Sequence, residues 1–108
     1  MGRIHYGQDS FSATFDDRTL AHLQIVISAK LRRQEPFFFS WHADPSLAES
    51  HGRTSIWMHP AVPIRFEFES SEPIEIDRDW LERLSISANS NAGMHVTPDP
   101  KADLQPAS

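Results

Sequence analysis

The chain has 108 residues, of which 39% are hydrophobic, 10% aromatic and 23% charged, a composition typical of one small globular domain. It contains no cysteine, which excludes disulfide frameworks and thiolate metal sites. No apolar run approaches the roughly 18 residues that a membrane span needs. The first five residues also lack the apolar stretch of a secretory signal. We therefore expect a cytoplasmic protein that makes no membrane contact.

The formal net charge of −5 is unevenly distributed along the chain. Residues 1–65 carry a net charge of +1, and residues 66–108 carry −6. The basic residues are densest around Lys30-Leu31-Arg32-Arg33. Because the second half would repel a polyanion, any surface that binds nucleic acid must be local.

The first third of the chain predicts a β-hairpin followed by a helix. The β-prone runs Arg3–Tyr6 and Ser12–Phe15 flank the turn formers of residues 7–10. From Asp17 to about Arg33, apolar residues recur at spacings of three and four, as an amphipathic helix requires. An aspartate supplies its N-cap, and Pro36 forbids its continuation.

Three strands, a second helix and a last short strand follow. The run 64–69 alternates apolar and charged residues, which indicates a sheet with one wet face, and the stripe Trp80, Leu84 and Ala88 indicates a helix that opens at Asp77. The predicted elements are strands at Phe37–His42, Arg53–His59, Ile64–Glu69 and Met94–Thr97, and a helix from Asp77 to about Ala88.

This order, ββαβββαβ, predicts an α+β fold in which two helices pack on a mainly antiparallel sheet in two layers. Residues 1–97 form the predicted single domain. Residues 98–108 are polar, contain several prolines and show no periodicity, so we expect a disordered tail.

Six motifs of the chain are Gly2–Gly7, Asp17–Leu23, Lys30-Leu31-Arg32-Arg33, Phe37–Trp41, Gly52–Pro60 and Trp80-Leu81. Together they resemble a family of small, uncharacterised actinobacterial proteins whose members often carry the label "ATP-dependent DNA ligase". The resemblance covers roughly residues 2–98, and it implies a glycine after Arg33, where this chain has Gln34.

The ligase label can be compared with the chemistry of the chain. Such ligases attach AMP to the lysine of a Lys-x-Asp-Gly motif, but Lys30 is followed by Leu31-Arg32-Arg33. Glycine-rich phosphate loops and the Gly-x-Ser-x-Gly elbow are also absent from the sequence. We therefore expect no covalent nucleotidyl transfer, no cofactor and no catalytic residue.

The basic residues suggest one binding hypothesis. Lys30, Arg32 and Arg33, with Arg18 and His22 on the same helix, could bind DNA phosphates. Arg53 could add a stacking contact to the nucleic acid. A DNA-associated accessory protein in repair or ligation would use them in this way. The alternative is that cations at a helix C-terminus only satisfy its dipole and its last carbonyl groups.

The histidines suggest a weaker hypothesis of a metal site. His42, Asp44, His51 and His59 have side chains that can ligate zinc or iron. Their spacing matches no defined site, and ordinary surface histidines explain the pattern more simply. We therefore predict no metal.

The aromatic residues suggest the hypothesis that we favour. Phe38 and Trp57 point away from their apolar strand neighbours, so they could form an apolar patch on the second face of the sheet. Alternatively, the hairpin or the loop after His42 covers both. The sequence thus predicts a non-enzymatic interaction module, possibly a homodimer or bound to another protein through this face, with the DNA-associated protein as its alternative.

Overall fold

The structure, a computed structural model, describes residues 1–8, 11–42, 53–97 and 99–100. It contains six strands and two helices in the predicted order, so the α+β fold class is confirmed. In chain order these elements are β1 (Gly2–Tyr6), β2 (Phe11–Phe15), α1 (Asp17–Arg32), β3 (Phe37–His42), β4 (Arg53–Met58), β5 (Ile64–Glu67), α2 (Arg78–Ala88) and β6 (Met94–His95).

The strands form two small sheets, whereas the sequence predicted one. The first has the order β2-β1-β5 and is antiparallel throughout. The second has the order β4-β3-β6, in which β4 is antiparallel and β6 parallel to β3. The strand pattern along the sequence identifies each strand but leaves its pairing partner open, because pairing is decided by contacts between distant segments.

The chain changes sheets between β4 and β5, at the turn that contains Pro60 and Pro63. The Tyr6 hydroxyl donates to the Trp57 carbonyl and accepts from the His59 N–H, both at 2.9 Å. The Gly7 N–H then donates to the Pro63 carbonyl at 2.9 Å. These bonds tie the end of β4 to β1, so that β5 pairs with β1.

Helix α1 begins and ends with recognisable capping motifs. Asp16 is the N-cap, and its side chain accepts the Thr19 N–H. At the other end, the N–H groups of Gln34 and Glu35 donate to the carbonyls of Leu31 and Lys30, the pattern of a Schellman motif. Gln34 has a φ of 59°, so it occupies the left-handed position at which the family resemblance implied a glycine.

Three strands end earlier than predicted. β4 ends at Met58 and β6 at His95, and β5 ends at Glu67 although the alternation of residues continues to Glu69. The Asp17 carboxylate accepts the N–H groups of Glu69 and Ser70 at 3.1 and 2.9 Å. These bonds draw the chain onto the start of α1 and away from the strand ladder.

Both sheets and both helices share one hydrophobic core. Phe15 of the first sheet contacts Phe39 and Trp41 of the second, with ring centroids 6.2 and 6.3 Å apart. The buried cluster comprises Ile4, Leu20, Leu23, Val26, Ile27, Phe37, Phe39, Met58, Trp80, Leu84, Ala88 and Met94. A core assembled from every layer shows that the described residues pack as one unit.

The predicted disordered tail lies mostly outside the described residues. Of its members only residues 99 and 100 are described, and Asp99 forms an ion pair with Arg18. Within the described part of the chain, no helix is both long and apolar enough to cross a membrane.

Candidate functional site

The outer face of the β4-β3-β6 sheet presents two large aromatic side chains to solvent. Phe38 and Trp57 are partners in the β3-β4 register, and their side chains are 47% and 48% exposed. Their ring centroids lie 4.9 Å apart at an interplanar angle of 66°, an edge-to-face contact. The structure therefore brings the two predicted interface residues together and leaves both accessible. We call this the aromatic pair.

The strands around the aromatic pair are free of carboxylates. None of the residues of β3, β4 and β6 is Asp or Glu. Next to the pair, the Ser40 and Ser55 hydroxyls form a hydrogen bond of 2.6 Å. β4, which carries Trp57, is an edge strand of its sheet, and Tyr6 covers the Trp57 end of that edge. This face thus combines apolar rings with neutral hydroxyls.

Lys30, the centre of the predicted phosphate site, is buried. Its ammonium donates to the Asn89 side-chain oxygen at 2.9 Å, and it lies 3.5 Å from a Glu35 carboxylate oxygen and 5.9 Å from the centre of the Phe37 ring. It therefore connects the C-terminal ends of the two helices. The sequence left two roles open for Lys30, binding of phosphate or neutralisation of the helix dipole, and the structure adds contacts with Asn89 and Glu35 that neither role required.

Arg18, a second residue of the predicted phosphate site, also has partners within the chain. Its Nε donates to Asp99 at 2.7 Å, and its Nη1 donates to the Glu75 carbonyl at 3.2 Å. Its Nη2 lies 3.6 Å from the Asp77 carboxylate, and the guanidinium lies 5.6 Å from the Trp80 ring centre. These contacts hold three segments together at the start of α1.

The remaining predicted phosphate ligands lie on two elements. Arg32 and Arg33 are at the C-terminal end of α1, where Arg33 donates to Glu35 at 3.0 Å, and Arg53 is on β4. Arg18 and Lys30 are twelve residues apart on one helix, a rise of about 18 Å. Arg18, Lys30 and Arg33 thus have acidic or polar partners within the chain, whereas Arg32 and Arg53 are exposed.

His22 has a structural role that the sequence pattern did not reveal. It is fully buried, and its ring stacks on Trp80 with centroids 4.4 Å apart. Nε2 accepts the Asp77 N–H at 2.8 Å, so Nδ1 carries the proton donated to the Arg18 carbonyl at 2.7 Å. Trp80 in turn donates its indole N–H to Thr97. We call Arg18, His22, Asp77, Trp80 and Asp99 the polar network.

Two aspartates near the starts of the helices have altered acidity. Hydrogen bonds from the Ser70 and Glu69 N–H groups lower the pKa of Asp17 below its ordinary value. The pKa of Asp77 is also lowered, chiefly by the Trp80 N–H and further by Arg18. In both cases donors that favour the charged form outweigh desolvation, so both carboxylates act as anchors for backbone.

The predicted metal ligands do not form a described site. His59 is exposed, and its Nδ1 accepts the Ala61 N–H at 3.0 Å. Asp44, His51 and the side chain of His42 lie outside the described residues. Among the residues that the structure describes, no group of three or more His, Asp or Glu side chains is arranged to hold a metal ion.

Comparison with known proteins identifies the family of this chain. A family profile described as "Domain of unknown function (DUF7882)" matches residues 1–99. Searches of curated proteins and of solved structures gave no match. The profile ends at Asp99, the residue that binds Arg18 of the polar network. Because the match covers nearly the whole chain, the protein belongs to the DUF7882 family, a domain of unknown function.

Proposed function

We propose that this protein is a non-catalytic interaction domain that forms a homodimer through the aromatic pair. The observation that carries the proposal is the exposure of Phe38 and Trp57, which lie in contact on neighbouring strands. Contiguous exposed aromatic surface on a small protein is typical of a partner contact. Burial of both rings against another chain would remove this apolar surface from water.

The charge distribution favours a second copy of this chain as the partner. The protein has a net charge of −5, so two copies repel one another over most relative orientations. The face around the aromatic pair lies on strands without carboxylates. Two such faces can therefore approach each other without repulsion between acidic side chains of these strands.

The surface is also held in place before any partner binds. The β3-β4 register runs over six residue pairs, from Phe37 with Met58 to His42 with Arg53. Tyr6 fixes the end of β4 through the Trp57 carbonyl and the His59 N–H. Little backbone freedom is lost on association, which lowers the cost of binding.

The size of the aromatic pair predicts a weak dimer. A fully buried Phe or Trp removes about 150–250 Å² from water, so two half-exposed rings offer roughly 200 Å². A standard interface buries about 800 Å² per partner. The pair alone supplies about a quarter of that area, and the neighbouring residues of the sheet must supply the rest. We expect association that depends steeply on concentration.

Sedimentation equilibrium of the full chain tests this proposal. We expect the average mass to rise towards that of a dimer at high concentration, and the double variant Phe38→Ser/Trp57→Ser to stay monomeric. Ile86→Ser is the matched control, because Ile86 is 64% exposed on α2 and away from the sheet; it should dimerise like the parent. A parent chain that stays monomeric at millimolar concentration would overturn the proposal.

A further inference from the structure

A groove runs along the solvent-facing side of α1, on elements that the aromatic pair does not use. Its larger part, about 680 Å³, lies between the helix and the chain that follows β5. Its smaller part, about 370 Å³, continues along α1 and shares Gln24 and Ile25 with the larger one. We call these two parts together the α1 groove.

Isoleucine side chains line the α1 groove. Ile25, which both parts share, is 42% exposed, and Ile74 and Ile76 line the larger part and are half-buried. The helix contributes small side chains, Ala21 in one part and Ser28 and Ala29 in the other. Small side chains permit close approach of another backbone, and the exposed isoleucine offers an apolar anchor.

The two parts of the α1 groove carry opposite charges. Glu72 lines the larger part and Arg32 lines the smaller part, and both are exposed. Within the described ranges neither forms an ion pair, whereas Glu69, which also lines the groove, is paired with the Met1 amino group. The charges of Glu72 and Arg32 are therefore available to a ligand.

We propose that the α1 groove binds a short amphipathic helix of a partner protein, with a basic residue at one end of its apolar face and an acidic residue at the other. The charge complementarity specifies this partner. Glu72 lines the same part of the groove as Ala21, and Arg32 follows Ala21 by eleven residues on α1, a rise of about 16 Å. A partner helix matches this spacing with its two charges three turns apart and apolar residues between them, the helix-in-groove mode of recognition.

Synthetic peptides test the proposal directly. The probe is a capped peptide, about four helical turns long, that carries Lys and Glu three turns apart on the same face as two leucines. A second peptide of identical composition carries the Lys and Glu on the opposite face. We expect isothermal titration calorimetry to show that the first peptide binds several-fold more tightly than the second. Equal affinities, or no binding of either at millimolar concentration, would overturn the proposal.

Charge reversal in the protein provides a switch of specificity. Glu72→Lys makes both ends of the groove basic, so it should prefer a peptide with two acidic ends. Arg32→Glu should prefer one with two basic ends. The matched controls Glu82→Lys and Arg83→Glu alter net charge equally on the exposed side of α2, and they should retain the preference of the parent. Controls that switch preference like the groove variants would show a general effect of net charge and refute the site.

The apolar anchor has its own test, which also separates this proposal from the homodimer. Ile25→Asp should abolish peptide binding and leave the melting temperature nearly unchanged, because Ile25 is already 42% exposed. Phe38→Ser/Trp57→Ser should bind the peptide like the parent. Peptide binding that survives Ile25→Asp would place the contact elsewhere.

A peptide that is displaced as the protein concentration rises would identify a second copy as the occupant of the groove, and that result would also overturn the proposal.

Discussion

The polar network at the start of α1 and the aromatic pair on the outer sheet reverse the usual distribution of polar and apolar side chains. In the polar network, an arginine and a histidine lie against a fully buried tryptophan and bond to three chain segments. On the sheet, a phenylalanine and another tryptophan lie half in solvent. The comparison teaches that a charged or aromatic residue type does not by itself tell whether the side chain stabilises the fold or lies at the surface. The inward polar groups bond to one another and to the backbone, so they hold the fold together, whereas the outward rings remain available for binding.

The largest expected effect compares the two tryptophans of these regions. Trp80→Ala should lower the free energy of unfolding by about 3–5 kcal/mol, since it empties a buried site and removes the bonds to Thr97. Trp57→Ala should cost about 1 kcal/mol, mostly the lost edge-to-face contact. Urea denaturation monitored by circular dichroism measures both values. Equal losses would mean that Trp57 is as important to the core as Trp80.

A second comparison sets Lys30 against Arg32 at the same end of α1. Lys30→Ala should destabilise by about 1.5–3 kcal/mol, because it removes a charged hydrogen bond to Asn89 in a buried setting. Arg32→Ala, on the exposed side of the helix, should change stability by less than about 0.5 kcal/mol. The same denaturation experiment applies to both variants. If Lys30→Ala leaves stability unchanged, the contact between Lys30 and Asn89 does not stabilise the fold.

A smaller and opposite effect is expected at the turn after α1. Gln34→Gly should raise the free energy of unfolding by about 1 kcal/mol or less, since glycine adopts a φ of 59° without steric cost. Gln34→Ala is the control, and it should give no such gain because it keeps a Cβ atom. Thermal denaturation of both variants measures the difference. A stabilisation by alanine equal to that by glycine would contradict the explanation from backbone conformation.

The smallest expected effect is a loss of folding stability at acidic pH. The pKa values of Asp17 and Asp77 are lower in the folded chain than their ordinary value of 3.8, so the folded state binds protons less readily than the unfolded one. The stability that both contribute is complete above pH 3.8 and is lost as the pH falls through the lowered values. Unfolding followed from neutral to acidic pH should show this loss.

The asparagine variants of these two aspartates identify the source of the acid effect. Asp17→Asn and Asp77→Asn should each be less stable than the parent at neutral pH and should show a shallower decline in acid. Asp79→Asn, on the first turn of α2, should follow the parent curve. A parent-like decline in both anchor variants would assign the acid sensitivity to other carboxylates.

Much of the fold was predictable because its signals are local. The stripe from Leu20 to Leu31, the cap at Asp77 and the alternation from Ile64 to Phe68 each depend on residues within a few positions of one another. Helix and strand periodicity, capping and proline stops are properties of such short segments. The sequence by itself therefore determined the order of the elements, the fold class and the stripe of Trp80, Leu84 and Ala88 that α2 contributes to the core.

The candidate sites depended on contacts that span the chain. The burial of Lys30 depends on its contact with Asn89, and the placement of Arg18 depends on its contact with Asp99. The position of β5 in the first sheet depends on the hydrogen bonds that Tyr6 forms with the end of β4. The α1 groove joins Ile25 to residues 68–76 and has no signature in either segment alone. The tertiary structure alone decided which cations became structural, which aromatic rings stayed in solvent and how the strands divided into two sheets. The physical reason is that the burial of a side chain depends on distant residues whose positions no local pattern specifies.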